Sequence, residues 1–226
     1  LFFVADDGTN GKELWKSDGT ANGTMMVKDI NSGSSSSYPS ELTAFGNTLY
    51  FSANAGDALG PENIFTLGEL WKSDGTANGT VMVKDINSGI GGSNVHSLTA
   101  VGNTLYFQAD DGINGIELWK TDGTANGTVM VKDINNGDGD SDPYQFIAIG
   151  NTLYFEADNG INGRELWKSD GTEAGTMMVK DINSGNGDGS PGWLTAVGNT
   201  LYFEADDGTN GEELWMHKIH TEVTYS

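Results

Sequence analysis

Carboxylate and amide side chains recur in short glycine-rich segments of this chain. These segments are ADDGTNGKE (5–13), ADDGINGIE (109–117), ADNGINGRE (157–165) and ADDGTNGEE (205–213). Oxygen ligands gathered in a tight turn suit a hard cation such as Ca²⁺. The second segment offers Asp110, Asp111, Asn114 and Glu117 as candidate calcium ligands. The alternative is a hairpin turn in which Asp and Asn accept backbone hydrogen bonds and bind no metal.

A further candidate calcium site is the loop NNGDGDSDP at residues 135–143. Asp138, Asp140 and Asp142 alternate along it, as carboxylates do at the start of an EF-hand loop. The EF-hand pattern then stops, because Pro143 follows and no glutamate completes it. A solvated acidic loop is the alternative interpretation. Calcium is the one cofactor that the sequence indicates.

Residues that could support catalysis form no known catalytic pattern. The three histidines are His96, His217 and His220, and none recurs in an equivalent context. The chain contains no ordered Ser/His/Asp set, phosphate-binding loop or HExxH motif. It also has no cysteine, which excludes thiol catalysis and disulfides. Carboxylates are plentiful, but most recur, whereas an acid–base pair is needed once. We therefore expect a protein that is not an enzyme.

The candidate residues lie within an internal repeat, which determines the secondary structure around them. The phrase ELWKSDGTANGT occupies residues 13–24 and 69–80, ELWKTDGTANGT follows at 117–128, and ELWKSDGTEAGT at 165–176. The tryptophans of the phrase, including that of a shortened ELWM at 213–216, are spaced by 56 and then by 48 residues. The longer first spacing comes from extra residues in GDALGPENIFTLG (56–68). A fixed period of this length indicates a repeat architecture.

One repeat contains four short runs rich in β-forming residues. Within residues 96–135 these runs are HSLTAVG, NTLYFQAD, GIELWKTDG and TVMVKDIN, separated by glycine-containing turns. No segment has a sustained helical period. Four short antiparallel strands per repeat predict the blade of a β-propeller. We expect the repeated Trp to pack between blades and the Asp of DGT to accept hydrogen bonds within its turn.

The phrase resembles the ELWxxDGT repeat family, and the resemblance covers nearly the whole chain. Four copies match strongly and ELWM matches in part. Such repeats occur in tandem in large bacterial proteins, which implies a secreted or cell-surface location. The order LTAVG, LYF, ELWKSDGT, VMVKD is also similar to the strand order of YWTD-type propellers, which implies that the first run lines the central channel. The turn resembles the structural Asp-box of sialidases, which implies no sialidase activity.

The expected fold is all-β: a β-propeller of four-stranded antiparallel blades forming a single domain. LFF at residue 1 aligns with LYF at 49, 105, 153 and 201, so five blades are predicted. The repeat units are 1–38, 39–94, 95–142, 143–190 and 191–226. The first unit lacks an inner strand, which the tail MHKIHTEVTYS supplies unless it completes the last blade, so the termini close the ring. A four-bladed ring and an open segment of a longer array are the alternatives.

The segments that lead into the predicted inner strands vary while the rest of the repeat stays nearly constant. They read SYPSELTAFG, SNVHSLTAVG, SDPYQFIAIG and GSPGWLTAVG. If they surround one mouth of the channel, they place a set of varied side chains together: Glu41, His96, Tyr144, Gln145 and Trp193. Aromatic, amide and carboxyl groups around a shallow pocket suit a sugar. The alternative is sequence drift in exposed loops, with Trp193 packed in the core.

Charge and hydropathy restrict the partners. There are 32 acidic and 11 basic residues, giving a net charge of −21, which argues against binding to nucleic acid or to an anionic membrane surface. No apolar stretch is long enough for membrane insertion. We therefore expect a secreted, non-enzymatic module that binds a glycan or another cell-surface ligand. A structural or adhesive module of a large extracellular protein is the second interpretation, and a carbohydrate-active hydrolase or lyase is the third.

Overall fold

The computed structural model describes residues 1–56, 68–89 and 92–219. Within these residues, 18 strands form five antiparallel sheets of three or four strands each. The prediction of an all-β chain is therefore confirmed. The five sheets are separate, and the described residues show no closed ring.

The sheets follow one another along the chain. The first contains β1 (Phe2–Asp6), β2 (Lys12–Lys16) and β3 (Met25–Lys28). The second contains β4 (Ser40–Phe45), β5 (Thr48–Ala53), β6 (Glu69–Ser73) and β7 (Val81–Lys84). The third contains β8 (His96–Val101), β9 (Thr104–Asp110), β10 (Ile116–Thr121) and β11 (Val129–Lys132). The fourth contains β12 (Tyr144–Ile149), β13 (Thr152–Asp158), β14 (Arg164–Ser169) and β15 (Met177–Lys180). The fifth contains β16 (Gly192–Val197), β17 (Thr200–Asp206) and β18 (Glu212–Lys218).

The second strand of the second, third and fourth sheets is buried on both faces. In β9, Leu105, Phe107 and Ala109 lie on one face, and all three are fully buried. Tyr106 lies on the opposite face and is also buried. A strand covered on both sides has a nearly continuous apolar sequence rather than a strict alternation. The LYF run therefore reflects a strand in a sheet with a neighbouring sheet on each side.

The hydrophobic core consists of the junctions between consecutive sheets. In one junction, Leu118 and Val131 of the third sheet pack against Leu153, Phe155 and Trp167 of the fourth. Equivalent clusters join the other consecutive pairs. We call β4, β8, β12 and β16 the inner strands, because they lie side by side in this order, β4 next to β8, β8 next to β12 and β12 next to β16. They bring the four variable segments to one region.

The strands predicted for residues 96–135 are all present, as β8 to β11. The first sheet has three strands and begins with the LFF strand, β1, as the alignment with LYF predicted. The insertion predicted at 56–68 lies mostly outside the described residues, as do His220 and the rest of the tail that was expected to close the ring.

Candidate binding site at the starts of the inner strands

Each inner strand begins with a β-bulge. In β12 the pairing changes from Tyr144 opposite Glu156 to Ile147 opposite Tyr154, which leaves one extra residue on β12. The residue after the first pair has a positive φ in all four strands: 58° at Glu41, 61° at Ser97, 57° at Gln145 and 54° at Trp193. Residues other than glycine rarely adopt this conformation, and a bulky one is an outlier there. The bulge thus redirects one side chain per strand, and that side chain differs each time.

Two aromatic side chains are exposed at these bulges. Trp193 is 79% exposed and Tyr144 is 56% exposed. By contrast, Trp119 and Trp167 are each 5% exposed and lie in the junctions between sheets. The alternative in which Trp193 packs in the core is therefore not what the structure shows. Large aromatic faces that are free at a rigid surface suit ligand contact, because their positioning costs little conformational entropy.

Glu41 bridges two neighbouring inner strands. Its Oε2 accepts a hydrogen bond from the Ser97 backbone N–H at 2.8 Å, and its Oε1 lies 3.5 Å from His96 Nδ1. The contact with His96 is the main reason that the pKa of Glu41 is lowered, although burial acts in the opposite direction. Glu41 is therefore held as a carboxylate at the bulge, and His96 helps to hold it.

A cavity of about 260 Å³ lies among these bulges. Its lining residues are Glu41, Ser97, Leu98, Thr99, Tyr144, Gln145, Phe146 and Leu194. The structure thus brings Glu41, Tyr144 and Gln145 together around one cavity. Of the two remaining predicted ligand residues, His96 contacts Glu41, and Trp193 directly precedes the lining residue Leu194. Ligand binding by these five residues stays a prediction.

An ion-pair group next to Tyr144 was not predicted from the sequence. Arg164 donates a hydrogen bond from one terminal nitrogen to Asp142 Oδ2 at 2.8 Å, and its other terminal nitrogen lies 3.7 Å from Glu156 Oε1. Glu156 is the strand partner of Tyr144. Burial raises the pKa of Glu156, and the guanidinium only partly offsets this effect. The available signal in the sequence was that Arg164 stands where the other repeats have Lys, Gly, Ile or Glu.

The repeated DGT turn is closed by its own side chains. Asp122 Oδ1 accepts hydrogen bonds from the Thr124 backbone N–H at 2.9 Å and from Thr124 Oγ1 at 2.7 Å. Thr124 Oγ1 in turn accepts one from the Gly127 N–H at 2.9 Å. These bonds, led by that of the Thr124 hydroxyl, lower the pKa of Asp122. The carboxylate is therefore engaged within the turn, and the same bonds recur in the other full copies of the phrase.

The lysine of the phrase links one sheet to the turn of the next. Its ammonium group donates a hydrogen bond, at 2.8 Å, to the glycine carbonyl of the DGT turn in the next sheet. The pairs are Lys16–Gly75, Lys72–Gly123 and Lys120–Gly171. The lysine that ends the fourth strand makes a parallel bond to a threonine carbonyl, at 2.8 to 2.9 Å, in the pairs Lys28–Thr80, Lys84–Thr128 and Lys132–Thr176. The phrase therefore holds the sheets together.

Glu117 is buried and already fully engaged. Its Oε2 accepts hydrogen bonds from the Ile134 N–H at 2.9 Å and from Ser141 Oγ at 2.7 Å, and its Oε1 accepts one from the Asn135 N–H at 3.1 Å. Burial outweighs these bonds and raises the pKa of Glu117 to about 7. The carboxyl group thus fixes the loop that leads to the next sheet. The hydrogen bond from the backbone N–H of the equivalent isoleucine recurs at Glu13, Glu69 and Glu165.

The other candidate calcium ligands also accept hydrogen bonds from the protein. Asp110 Oδ1 accepts one from Gly112, and Asp111 accepts three, from the Ile113 N–H and from both the backbone and the side chain of Asn114. Although burial alone would raise the pKa of Asp111, these donors lower it. The geometry is that of the hairpin-turn alternative. Calcium binding at this turn stays a prediction.

The three aspartates of the loop at 135–143 point to different partners. Asp140 Oδ1 accepts a hydrogen bond from the Ile116 N–H at 2.8 Å, Asp142 pairs with Arg164, and Asp138 is exposed. Across the parts of the chain that the structure describes, no group of three His, Cys, Asp or Glu side chains is arranged to hold a metal ion. A rise in melting temperature when Ca²⁺ is added after EDTA treatment would test the calcium prediction.

Comparisons with known proteins add a likeness in fold. No family model matches the chain. No curated protein matches it either. Among solved structures, it resembles a chain from a study of two prolyl endopeptidases, with a TM-score of 0.51, 12% identity, and coverage of 99% of this chain and 34% of the other. A puromycin hydrolase gives a TM-score of 0.49 and 10% identity over 90% of this chain and 32% of the hydrolase. The chain thus spans about a third of the length of these structures.

The first of these likenesses concerns the fold alone and is consistent with a β-propeller-like arrangement of the sheets. Within residues 1–56, 68–89 and 92–219, no helix has the length and apolar character needed to cross a bilayer.

Proposed function

We propose that this chain is a non-enzymatic binding module that takes a saccharide at the starts of its inner strands. The observation that carries the proposal is the exposure of Trp193 and Tyr144 on strained bulges of a rigid scaffold. Backbone strain of this kind costs about 1–3 kcal/mol per residue and is concentrated at functional sites. A glycine at position 193 would relieve the strain but would present no ring.

The polar groups at the cavity suit the hydroxyl groups of a sugar. Each oxygen of Glu41 retains capacity to accept a further hydrogen bond, since a carboxylate oxygen has two lone pairs. Gln145 supplies both a donor and an acceptor. The faces of Tyr144 and Trp193 supply apolar contact for the C–H groups of a pyranose ring. Specificity would come from the polar pair, because a missing hydroxyl would leave buried polar atoms without a partner.

The fold and the location belong to the same proposal. The five sheets are interpreted as blades of a β-propeller, with the variable segments around one mouth of its channel. Secretion or display at the cell surface rests on the resemblance of the phrase to the ELWxxDGT repeat family. A cell-surface glycan is then the partner class that fits both the location and the net charge of −21, since a neutral sugar is not repelled.

A structural or adhesive role is the second candidate, and the lysine bonds between sheets favour it. They repeat with nearly identical geometry at three junctions, as expected of a module selected for rigidity. Under this alternative the varied bulge residues would bind nothing. The hydrolytic activities of the structural neighbours are not transferred to this chain, because 12% identity supports likeness of fold only.

A glycan array with matched variants tests the proposal. Trp193→Ser and Tyr144→His replace each aromatic residue by the residue that this chain uses at the same bulge position in β8, namely Ser97 and His96. Both variants should fold with an unchanged melting temperature and lose binding to the glycans that the unmodified chain captures. Ile161→Ser serves as the control, because Ile161 is also exposed, at 72%, and this variant should bind normally. Binding that is equal in all four proteins would favour a scaffold role.

A further inference from the structure

Among the residues that the structure describes, the last sheet has an exposed apolar face. Val197, Leu214 and Met216 are 61%, 78% and 59% exposed. In the third sheet, the residues equivalent to the first two are Val101 and Leu118, which are 5% and 0% exposed. We call Val197, Leu214 and Met216 the trailing face. The comparison shows that this is the side on which every other sheet is covered by the sheet that follows it.

The first sheet exposes its opposite side, again as judged from residues 1–56, 68–89 and 92–219. Leu1 is 87% exposed, whereas the equivalent residues Leu105, Leu153 and Leu201 are fully buried. Phe3 is partly exposed, whereas Phe107 at the equivalent position is fully buried. We call Leu1, Phe3 and Trp15 the leading face. Its equivalents in the later sheets pack against the preceding sheet.

The internal junctions show what covers each face. At the junction of the third and fourth sheets, Val101 and Leu118 from the trailing side contact Leu153, Phe155 and Trp167 from the leading side. The trailing and leading faces therefore carry the two halves of a junction that the chain forms internally between every pair of consecutive sheets. Both halves are exposed in the described part of one molecule.

We propose that the trailing face binds the leading face of a second copy of this chain, head to tail. The two surfaces differ, so the contact is heterologous and extends into a ring or a filament depending on the rotation between copies. Met216 stands where the other repeats carry the lysine that bonds to the next turn. Because Met216 has no ammonium group that needs a hydrogen-bond partner, the trailing face can be buried against another surface. The proposal does not depend on saccharide binding.

The mass of the protein in solution is the first test. Sedimentation velocity from micromolar to millimolar protein, at a salt concentration that screens the charge of −21, should show a mass above that of one chain that rises with concentration. Leu214→Glu should stay monomeric, and its melting temperature should not fall, because Leu214 is exposed. Ile161→Glu adds the same charge at an exposed isoleucine away from both faces and should associate normally. A single-chain mass at every concentration, or equal association of the Leu214→Glu variant, would overturn the proposal.

Cysteine cross-linking distinguishes a second copy from closure within one chain, because these 226 residues include no cysteine that could compete. Leu1→Cys and Leu214→Cys are made separately, mixed and oxidised. Head-to-tail contact predicts a disulfide between the two different variants. The doubly substituted chain should then form linked multimers. An intramolecular disulfide alone in the doubly substituted chain would show that its own two ends meet, and this would contradict the proposal. Disulfides formed only between two copies of the Leu214→Cys variant would contradict it as well.

Discussion

The ammonium of Lys72 donates a hydrogen bond to the carbonyl oxygen of Gly123 across 2.8 Å, from the second sheet to the turn of the third. Gly123 has a φ of 90°, and the hydroxyl of Tyr50 occupies the space that a Cβ would take there. The DGT turn is thus seated on the preceding sheet by one lysine and one tyrosine. This contact explains why Lys and Gly recur together in the phrase.

The Lys72 bond should contribute measurably to stability. Lys72→Met keeps the apolar stem but removes the donor, and we expect a loss of about 1–2 kcal/mol in the free energy of unfolding, since the bond involves a charged group that is partly buried. Urea unfolding measures this change. Lys218→Met, at an exposed lysine of the last strand, is the control and should change stability little. If Lys72→Met is as stable as Lys218→Met, then water replaces the bond with no loss in the free energy of unfolding.

Much of the fold follows from local patterns in the sequence. The LYF and ELW runs, the glycine turns between them and the period of 48 residues are sufficient to predict the strands β8 to β11. Turn chemistry is equally local, because Asp122 and Thr124 bond within a few residues. Such features need no knowledge of the rest of the chain.

The site could be predicted only in part, because its decisive contacts are between distant residues. Glu117 has the spacing of a turn ligand, but its hydroxyl donor Ser141 lies 24 residues away. The positive φ of Trp193 depends on a bulge that pairing with β17 creates, and no local motif marks it. Variation between repeats singled out segments that the structure brings together, whereas the pairing of Glu41 with His96 could be seen only in the structure.

Stability should fall as pH rises through the titration of the buried glutamates. The pKa of Glu117 is about 7 in the folded chain, against an ordinary value of 4.5. The folded state therefore holds a proton that the unfolded state releases. The contribution of Glu117 to the free energy of unfolding is fully present below about pH 4.5. It is lost as the pH rises to about 7, and the loss is on the order of 3 kcal/mol.

Glu117→Gln removes this titration, so its free energy of unfolding should depend less on pH between 4.5 and 7 than that of the unmodified chain. The variant should be less stable at low pH, because its amide N–H₂ faces a backbone donor. Glu173→Gln at an exposed position is the control. Identical pH profiles for all three proteins, measured by urea unfolding, would contradict the assignment.

Asp122 should affect stability and leave binding unchanged. Asp122→Ala removes the acceptor for Thr124 in an exposed turn, so thermal unfolding should shift to lower temperature. Any affinity for a saccharide should be retained, because the turn does not line the cavity near Tyr144. Calorimetry and binding are measured on the same preparation. Loss of binding at an unchanged melting temperature would place the ligand at the repeated phrase instead.

The most direct test of the account follows the indole N–H resonances of the six tryptophans by NMR while a glycan identified on the array is added. Trp193 is the exposed member of this set, and Trp71, Trp119 and Trp167 are buried between sheets. We predict that the Trp193 resonance moves and saturates with the glycan, while the resonances of those three stay in place. A titration that moves the buried indoles and leaves Trp193 unchanged would contradict a binding site at the inner strands.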